Sequence, residues 1–332
     1  MNFGFAPSGS PFNGVPRNGL AGYGSPSYGP AFVRRRLKGS IGCRGIGLHT
    51  GRTIALTLHP GEPGAGIVFH RSDLGLDIPA RYDLVVETRL CTQIGLPDNP
   101  EARVGTIEHV MAALAAAGID DARIELDGPE VPILDGSAAP FLFLIDCAGT
   151  AEQFGARRAI EVLRSVRVED KHGAWAELSP NSEPAFDVDL TIDFGETAIG
   201  RQSLALRISV ESFRQELAQA RTFTLAEDVA RLRAAGLAQG GSLDNAVVVD
   251  GPMILNPGGL RQPDEFVRHK LLDVVGDLAL AGAPITGRFT GHRSGHALNN
   301  QLLLALFSDQ RNWRPTGGRA MAEVSAAKRV AA

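Results

Sequence analysis

His269, Asp273 and Asp277 recur at i, i+4 and i+8 in the stretch Pro263–Leu278. On a helix that spacing stacks them on one face. An imidazole and a carboxylate one turn apart can hold a single metal ion, and a solvated His/Asp face is the other reading of the same residues. A second stretch favours the metal. Glu108 and His109 fall in the first turn of a helix predicted to begin at Thr106, a good N-cap. The positive N-terminal end of that helix suits the Glu108 carboxylate. It also disfavours imidazolium, which keeps His109 neutral and able to ligate. His109, His269 and Asp273 together make a His₂Asp set. Three protein ligands and one open position is the pattern of a catalytic zinc. Such an ion activates water near neutral pH and polarises a carbonyl. The water proton needs a base, and Glu108 beside a ligand suits that task. Charge developing on an attacked carbonyl needs a positive or hydrogen-bonding partner. His296 and Thr222 are candidates, and Lys270 can meet an anionic group of a substrate. The sequence holds no His-Glu-x-x-His, no P-loop and no Rossmann fingerprint.

These side chains need elements to position them. Pro263 suits a first helical position, and Val267, Leu271, Val274 and Leu278 form an apolar face behind the polar one. In the Thr106 helix, Ile107, Val110, Met111, Leu114 and Ala117 do the same, and Gly118 stops it. Leu114-Ala-Ala-Ala-Gly118 echoes Leu278-Ala-Leu-Ala-Gly282. Aligning the two puts His109 opposite Asp273 and suggests two halves of similar build facing each other across a shared site. Residues 39–100 read as strands and turns, with strands at Arg52–Leu58 and Leu84–Ile94. His49 is read as a turn histidine whose ring bonds local backbone. A strand at Ala122–Leu126 and an apolar helix at Phe141–Cys147 follow. The shift into charged sequence over 151–161 is a candidate domain junction. Beyond it come strands at Ile160–Glu169, Trp175–Leu178, Phe186–Ile192, Val247–Val249 and Ile285–Thr290. Helices are expected at Val210–Ala220, at Leu225–Ala235 and up to about Phe307. Residues 1–33, rich in Gly, Pro, Ser, Asn and aromatics, are expected to be disordered. The arginines of Arg34–Lys38 are read as a solvated surface at the start of folded sequence, and residues 314–332 as a frayed tail.

Composition bounds the partners. The 332 residues carry a net charge of −4, which gives no reason to expect nucleic acid or an anionic membrane surface. The three cysteines are far apart and form no Cys-x-x-Cys pair, so neither a thiolate zinc site nor a disulfide framework is indicated. A reducing cytoplasm is the simplest location. No run of about 18 apolar residues is present, so stable membrane insertion is not expected. No obligate protein partner is evident.

The chain resembles the zinc-dependent UDP-3-O-acyl-N-acetylglucosamine deacetylases of lipid A biosynthesis. The similarity runs from about Leu37 to Trp313 and rests on separate blocks in the family's order. These are Gly-Ile-Gly-Leu-His-Thr-Gly51, Thr106-Ile-Glu-His109, Pro132-Ile-Leu-Asp-Gly-Ser137 and Arg221-Thr-Phe223. They continue with Gly240-Gly-Ser-Leu-Asp-Asn245, Asp264-Glu-Phe-Val-Arg-His-Lys-Leu-Leu-Asp273 and Ser294-Gly-His-Ala-Leu-Asn299. The resemblance implies zinc on His109, His269 and Asp273, with Glu108 as general base. It implies His296 as the charged acid supported by Asp277, Thr222 at the oxyanion, Phe223 at the sugar and Lys270 at a phosphate of a UDP-linked acylated amino sugar. It further implies an α+β fold of two similar sandwich domains, at 34–155 and 156–313. A βαβ insert at about 223–249 would form an apolar acyl channel. Thr224-Leu225 stands where many members have Gly-Phe, which alters the channel mouth. Two other readings compete: a zinc amidohydrolase for another N-acylated sugar or a peptide, and a non-catalytic metal-stabilised binding module. Glu108 argues against the last, because a structural metal needs no free carboxylate beside it.

Overall fold

Period-two alternation of apolar residues builds two main sheets in the computed structural model, which describes residues 33–317. The expected disordered extension lies outside the described residues apart from Val33, as do residues 318–332 of the expected tail. The first main sheet has five strands in the spatial order Ile41–Ile46, Thr53–Pro60, Ala122–Leu126, Ile67–Arg71, Leu76–Pro79. Ile54, Leu56 and Leu58 point inward and are fully buried, while their neighbours in the strand are not. Helix α1 (Glu108–Ala116) and helix α2 (Ala139–Ala148) belong to this half, and α2 packs on the strand Ile41–Ile46 and on α1.

The second main sheet has seven strands centred on Ile285–His292. That strand pairs in parallel with Phe186–Asp193 and antiparallel with Trp175–Ser179. A short helix α3 (Val210–Ser212) runs on into a helical turn through Leu217. Phe223–Leu225, helix α4 (Ala226–Ala234) and Val247–Asp250 form a parallel βαβ unit. This is the expected insert. Helix α5 (Glu265–Leu278) packs on the strand Phe186–Asp193, and helix α6 (His296–Phe307) packs on Val166–Glu169 and on α5.

The two halves meet where α1 lies along α5. Gly276 makes the contact possible, since a Cβ there would collide with the Glu108 carbonyl oxygen. The echo noted above marks this pair. Gly118 and Gly282 both end their helical segments in the left-handed region, at φ 70° and 80°, and each segment feeds a strand of its own sheet. The α+β architecture is as expected.

Several boundaries differ. Helix α5 starts at Glu265, not at Pro263. The Glu265 carboxylate turns back to accept the Arg261 N–H and the Arg221 guanidinium, which holds Pro263 and Asp264 in a preceding turn. Leu84–Ile94 is not one strand. It breaks after Val85–Glu87 because the Glu87 carboxylate accepts the Thr88 and Arg89 N–H groups and turns the chain out of the sheet. Ile160–Glu169 is two strands, and the strand Arg201–Ile208 was not anticipated. The expected tail begins as a strand, Trp313–Thr316, paired with Ala159–Val162. Arg34 is not simply solvated: its guanidinium binds the fully buried Asp121 at 2.7 Å and 2.5 Å.

Candidate active site

The first turn of α1 is set by an unusual residue. Thr106 has φ 56°, a left-handed value that non-glycine residues seldom adopt. It is not the N-cap; that position is Ile107. Its hydroxyl instead donates to Glu130 at 2.9 Å. The buried Glu130 carboxylate also accepts the His49 N–H, the Thr50 N–H and the Thr50 hydroxyl, at 2.8, 3.0 and 2.9 Å. Four donors satisfy this anion, and through it the Gly47–Gly51 turn fixes the start of the helix that carries Glu108 and His109. The expectation for the His49 ring fails. Both ring nitrogens are buried without a partner, and His49 is among the residues lining a second cavity of about 300 Å³.

His109, His269 and Asp273 come together as expected. One ligand atom from each lies within 4.8 Å of the others, and all three residues are buried. Asp273 Oδ1 stands 3.4 Å from His269 Nε2 and 3.8 Å from His109 Nε2. Ligand atoms about 2.1 Å from a tetrahedral ion are roughly 3.4 Å apart, so the set fits a metal. Asp273 Oδ1 adds a second reason. It is buried with no hydrogen-bond partner, a costly state for a carboxylate oxygen unless a cation meets it. Two of the three ligands are also held from behind. His269 Nδ1 pairs with the Ala220 carbonyl at 3.0 Å, which presents Nε2 to the cluster, and Lys270 Nζ donates to Asp273 Oδ2 at 2.7 Å.

Electrostatics separate the remaining groups. Burial pushes the Glu108 carboxyl up to about 8, against the opposing pull of His296. Burial, and then the charge of His269, push His109 down to about 3, so it stays neutral. Burial would raise Asp273, but His269 and Lys270 outweigh it and hold this carboxyl below the usual carboxylate range. For His296 burial favours the neutral ring, yet Asp277 reverses the balance and the imidazole rises to about 9. The reason is direct: His296 Nδ1 donates to Asp277 Oδ2 at 2.8 Å.

A cavity of about 600 Å³ unites these groups. Its walls include Glu108, His109, His269, Lys270, Asp273 and His296, together with Thr222 and Phe223 from the edge of the insert. The Phe223 ring lies 6.2 Å from that of His269. Asp277 is not on the wall and sits behind His296. Three supporting residues were missed. Asn299 donates to Asp277 Oδ2 at 2.8 Å, one helical turn from His296. Arg221 makes a two-point ion pair with the fully buried Glu265, tying Thr222 and the strand that begins at Phe223 to α5. Both lie inside motif blocks, and their spacing from the site residues was a usable signal. Glu130 had no such signal, because its four donors come from positions 24 to 81 residues away.

Known proteins are similar to this chain in sequence. The family model described as UDP-3-O-acyl N-acetylglycosamine deacetylase (LpxC) matches residues 34–308. A UDP-3-O-acyl-N-acetylglucosamine deacetylase of Anaeromyxobacter sp. is 49% identical over 276 residues, covering 83% of this chain and 89% of the relative. One from Acidithiobacillus ferrooxidans is 49% identical, with 84% and 91% covered. One from Haemophilus influenzae is 46% identical, with 84% and 92% covered. A family model that spans most of the chain and relatives 46–49% identical over more than four-fifths of it show that the chain belongs to the UDP-3-O-acyl-N-acetylglucosamine deacetylase family.

Proposed function

We propose that this protein hydrolyses the N-acetyl group of UDP-3-O-acyl-N-acetylglucosamine, giving acetate and UDP-3-O-acyl-glucosamine, an early step of lipid A biosynthesis. The reading is carried by one observation: a buried His₂Asp cluster with an unpartnered carboxylate oxygen shares a cavity wall with Glu108 and His296. His109, His269 and Asp273 would hold zinc, the ion that suits nitrogen and oxygen donors in a three-ligand site. Bound there, the ion acidifies water and polarises the acetyl carbonyl. Glu108 takes the water proton as the water oxygen bonds to the carbonyl carbon. His296, charged through Asp277, donates a proton from Nε2 to the amine as the C–N bond breaks. Thr222 would hydrogen-bond the developing oxyanion and Phe223 would pack on the sugar. Lys270 spends one of its three N–H donors on Asp273 and keeps two for a phosphate oxygen.

The organisation follows the same reading. We place the domain junction near 155–156, since among the described residues no strand pairing crosses it. The free thiols of Cys43, Cys91 and Cys147 support a cytoplasmic location. No helix of the described residues is long and apolar enough to cross a membrane.

Acetate release from UDP-3-O-acyl-N-acetylglucosamine, measured with and without a chelator, tests the activity. Chelation is expected to abolish turnover and added zinc to restore it. His109→Ala, His269→Ala and Asp273→Ala should each lower metal content by elemental analysis. No acetate release from metal-loaded protein, or full metal content in all three variants, would overturn the assignment.

The insert supplies the acyl contact in this reading. Leu225 ends the strand rather than opening the helix, and it lines the cavity with Leu232 of α4. Val229 is half-buried but is not on that wall. Leu232→Glu is expected to lower kcat/KM for long-chain substrates about 10-fold, roughly the worth of one buried leucine, and to spare short-chain ones. Equal loss on both would mean that the face only packs.

A further inference from the structure

Thr92 lies outside every motif block of the site, yet all three of its polar groups are engaged there. It directly precedes the strand Gln93–Leu96 and is only 1% exposed. Its N–H donates to Glu108 Oε2 at 3.0 Å. Its carbonyl accepts the Ile107 N–H at 3.4 Å. Its hydroxyl donates to Asp277 Oδ1 at 2.6 Å. One residue from a turn between two strands therefore reaches the first turn of α1 and the last turns of α5 together.

The consequences at the two carboxylates differ. At Glu108 the backbone N–H fixes one oxygen and leaves Oε1 for a water. At Asp277 the hydroxyl holds Oδ1, while Oδ2 receives His296 Nδ1 and Asn299 Nδ2, each at 2.8 Å. Asp277 is 3% exposed. A buried carboxylate oxygen stripped of its donor is costly, so without the Thr92 hydroxyl this carboxylate is driven to rotate in search of another. Rotation moves Oδ2, and the imidazole bonded to it moves as well.

We infer that Thr92 is a positioning residue for hydrolysis: its backbone orients Glu108, and its hydroxyl orients Asp277 and through it His296. The inference rests on the assignment of Glu108 and His296 as base and acid. Valine matches threonine in shape and keeps the N–H bond to Glu108, so Thr92→Val removes the hydroxyl arm alone. Serine keeps the hydroxyl.

The test is steady-state kinetics of metal-loaded Thr92→Val, Thr92→Ser, His296→Ala and the Thr92→Val/His296→Ala double variant, with metal content measured for each. Thr92→Val is expected to lower kcat about 10- to 100-fold, the range for residues that orient a metal site's working groups. KM and metal content should stay at parental values, and Thr92→Ser should recover most of the loss. In the His296→Ala background Thr92→Val should cost nothing further, since residues acting as one unit are not additive. The same fold loss in both backgrounds would mean a general structural effect and overturn the inference. So would parental kcat in Thr92→Val while His296→Ala is inactive, which leaves the acid assignment standing. Parental kcat in His296→Ala would overturn that assignment and this inference with it.

Discussion

Glu108→Gln is expected to keep its metal and lose turnover by about 10²–10⁴-fold, the worth of a general base. Glutamine preserves size and can still accept the Thr92 N–H through its amide oxygen, so the fold of the first turn of α1 is retained. It cannot take a proton. The pH dependence of the parent carries the same information. Burial, opposed by His296 and helped by the charges of Asp273 and Asp277, pushes the Glu108 carboxyl up to about 8, which would leave much of it protonated at neutral pH. A dication held by the neighbouring His109 cluster favours the carboxylate and lowers that value. Activity should therefore rise as pH climbs through a limb below 8 that belongs to Glu108. Metal by elemental analysis and single-turnover rates separate the outcomes. Near-parental turnover with metal bound would remove Glu108 from the base role, and loss of metal would make it a ligand instead.

The ligand helices were legible because their information is local. His269, Asp273 and Asp277 share a face through i, i+4 spacing, and Glu108 and His109 advertise themselves as polar residues beside an apolar stripe. The echo between Leu114–Gly118 and Leu278–Gly282 conveyed even the pairing of His109 with Asp273, now 3.8 Å apart. What could not be read is what depends on contacts between distant segments. Thr92 meets Asp277 across 185 residues, and no period or propensity anticipates such a bond. Thr106 looked like an N-cap because threonine favours that position. Its hydroxyl was instead taken by Glu130, and a tertiary hydrogen bond won over a local one. The strand expected over Leu84–Ile94 failed on two counts: Glu87 turns the chain locally by accepting the Thr88 and Arg89 N–H groups, and Thr92 spends its polar groups on α1 and α5. The tail beginning at Arg314 looked too polar to be ordered, yet the edge of the sheet at Ala159–Val162 offered it a ladder.

Asp277→Asn should shift the basic limb of the pH–rate profile to lower pH and lower the maximum rate. His296 must be protonated to donate to the departing amine, so activity falls as pH rises through its pKa. Burial opposes the charged ring, and the Asp277 charge with its hydrogen bond overcomes that opposition and places the imidazole near 9. Lys270 works against the charged ring and Glu108 works for it. Asparagine keeps the size of the side chain and removes its charge, so burial prevails and the pKa drops. Water activated by the metal can contribute to the same limb in the parent, and the response to Asp277→Asn is what assigns it to the imidazole. Asp277 is not one of the three ligands, so metal content should be unchanged. His296→Ala should remove the acid outright and reduce turnover strongly, again with metal retained. A titration of the His296 ring by NMR in parent and Asp277→Asn should show its pKa falling with the kinetic limb. An unmoved limb in Asp277→Asn, together with near-parental turnover in His296→Ala, would make this a loop histidine and send the search for the acid to Lys270 on the same cavity wall.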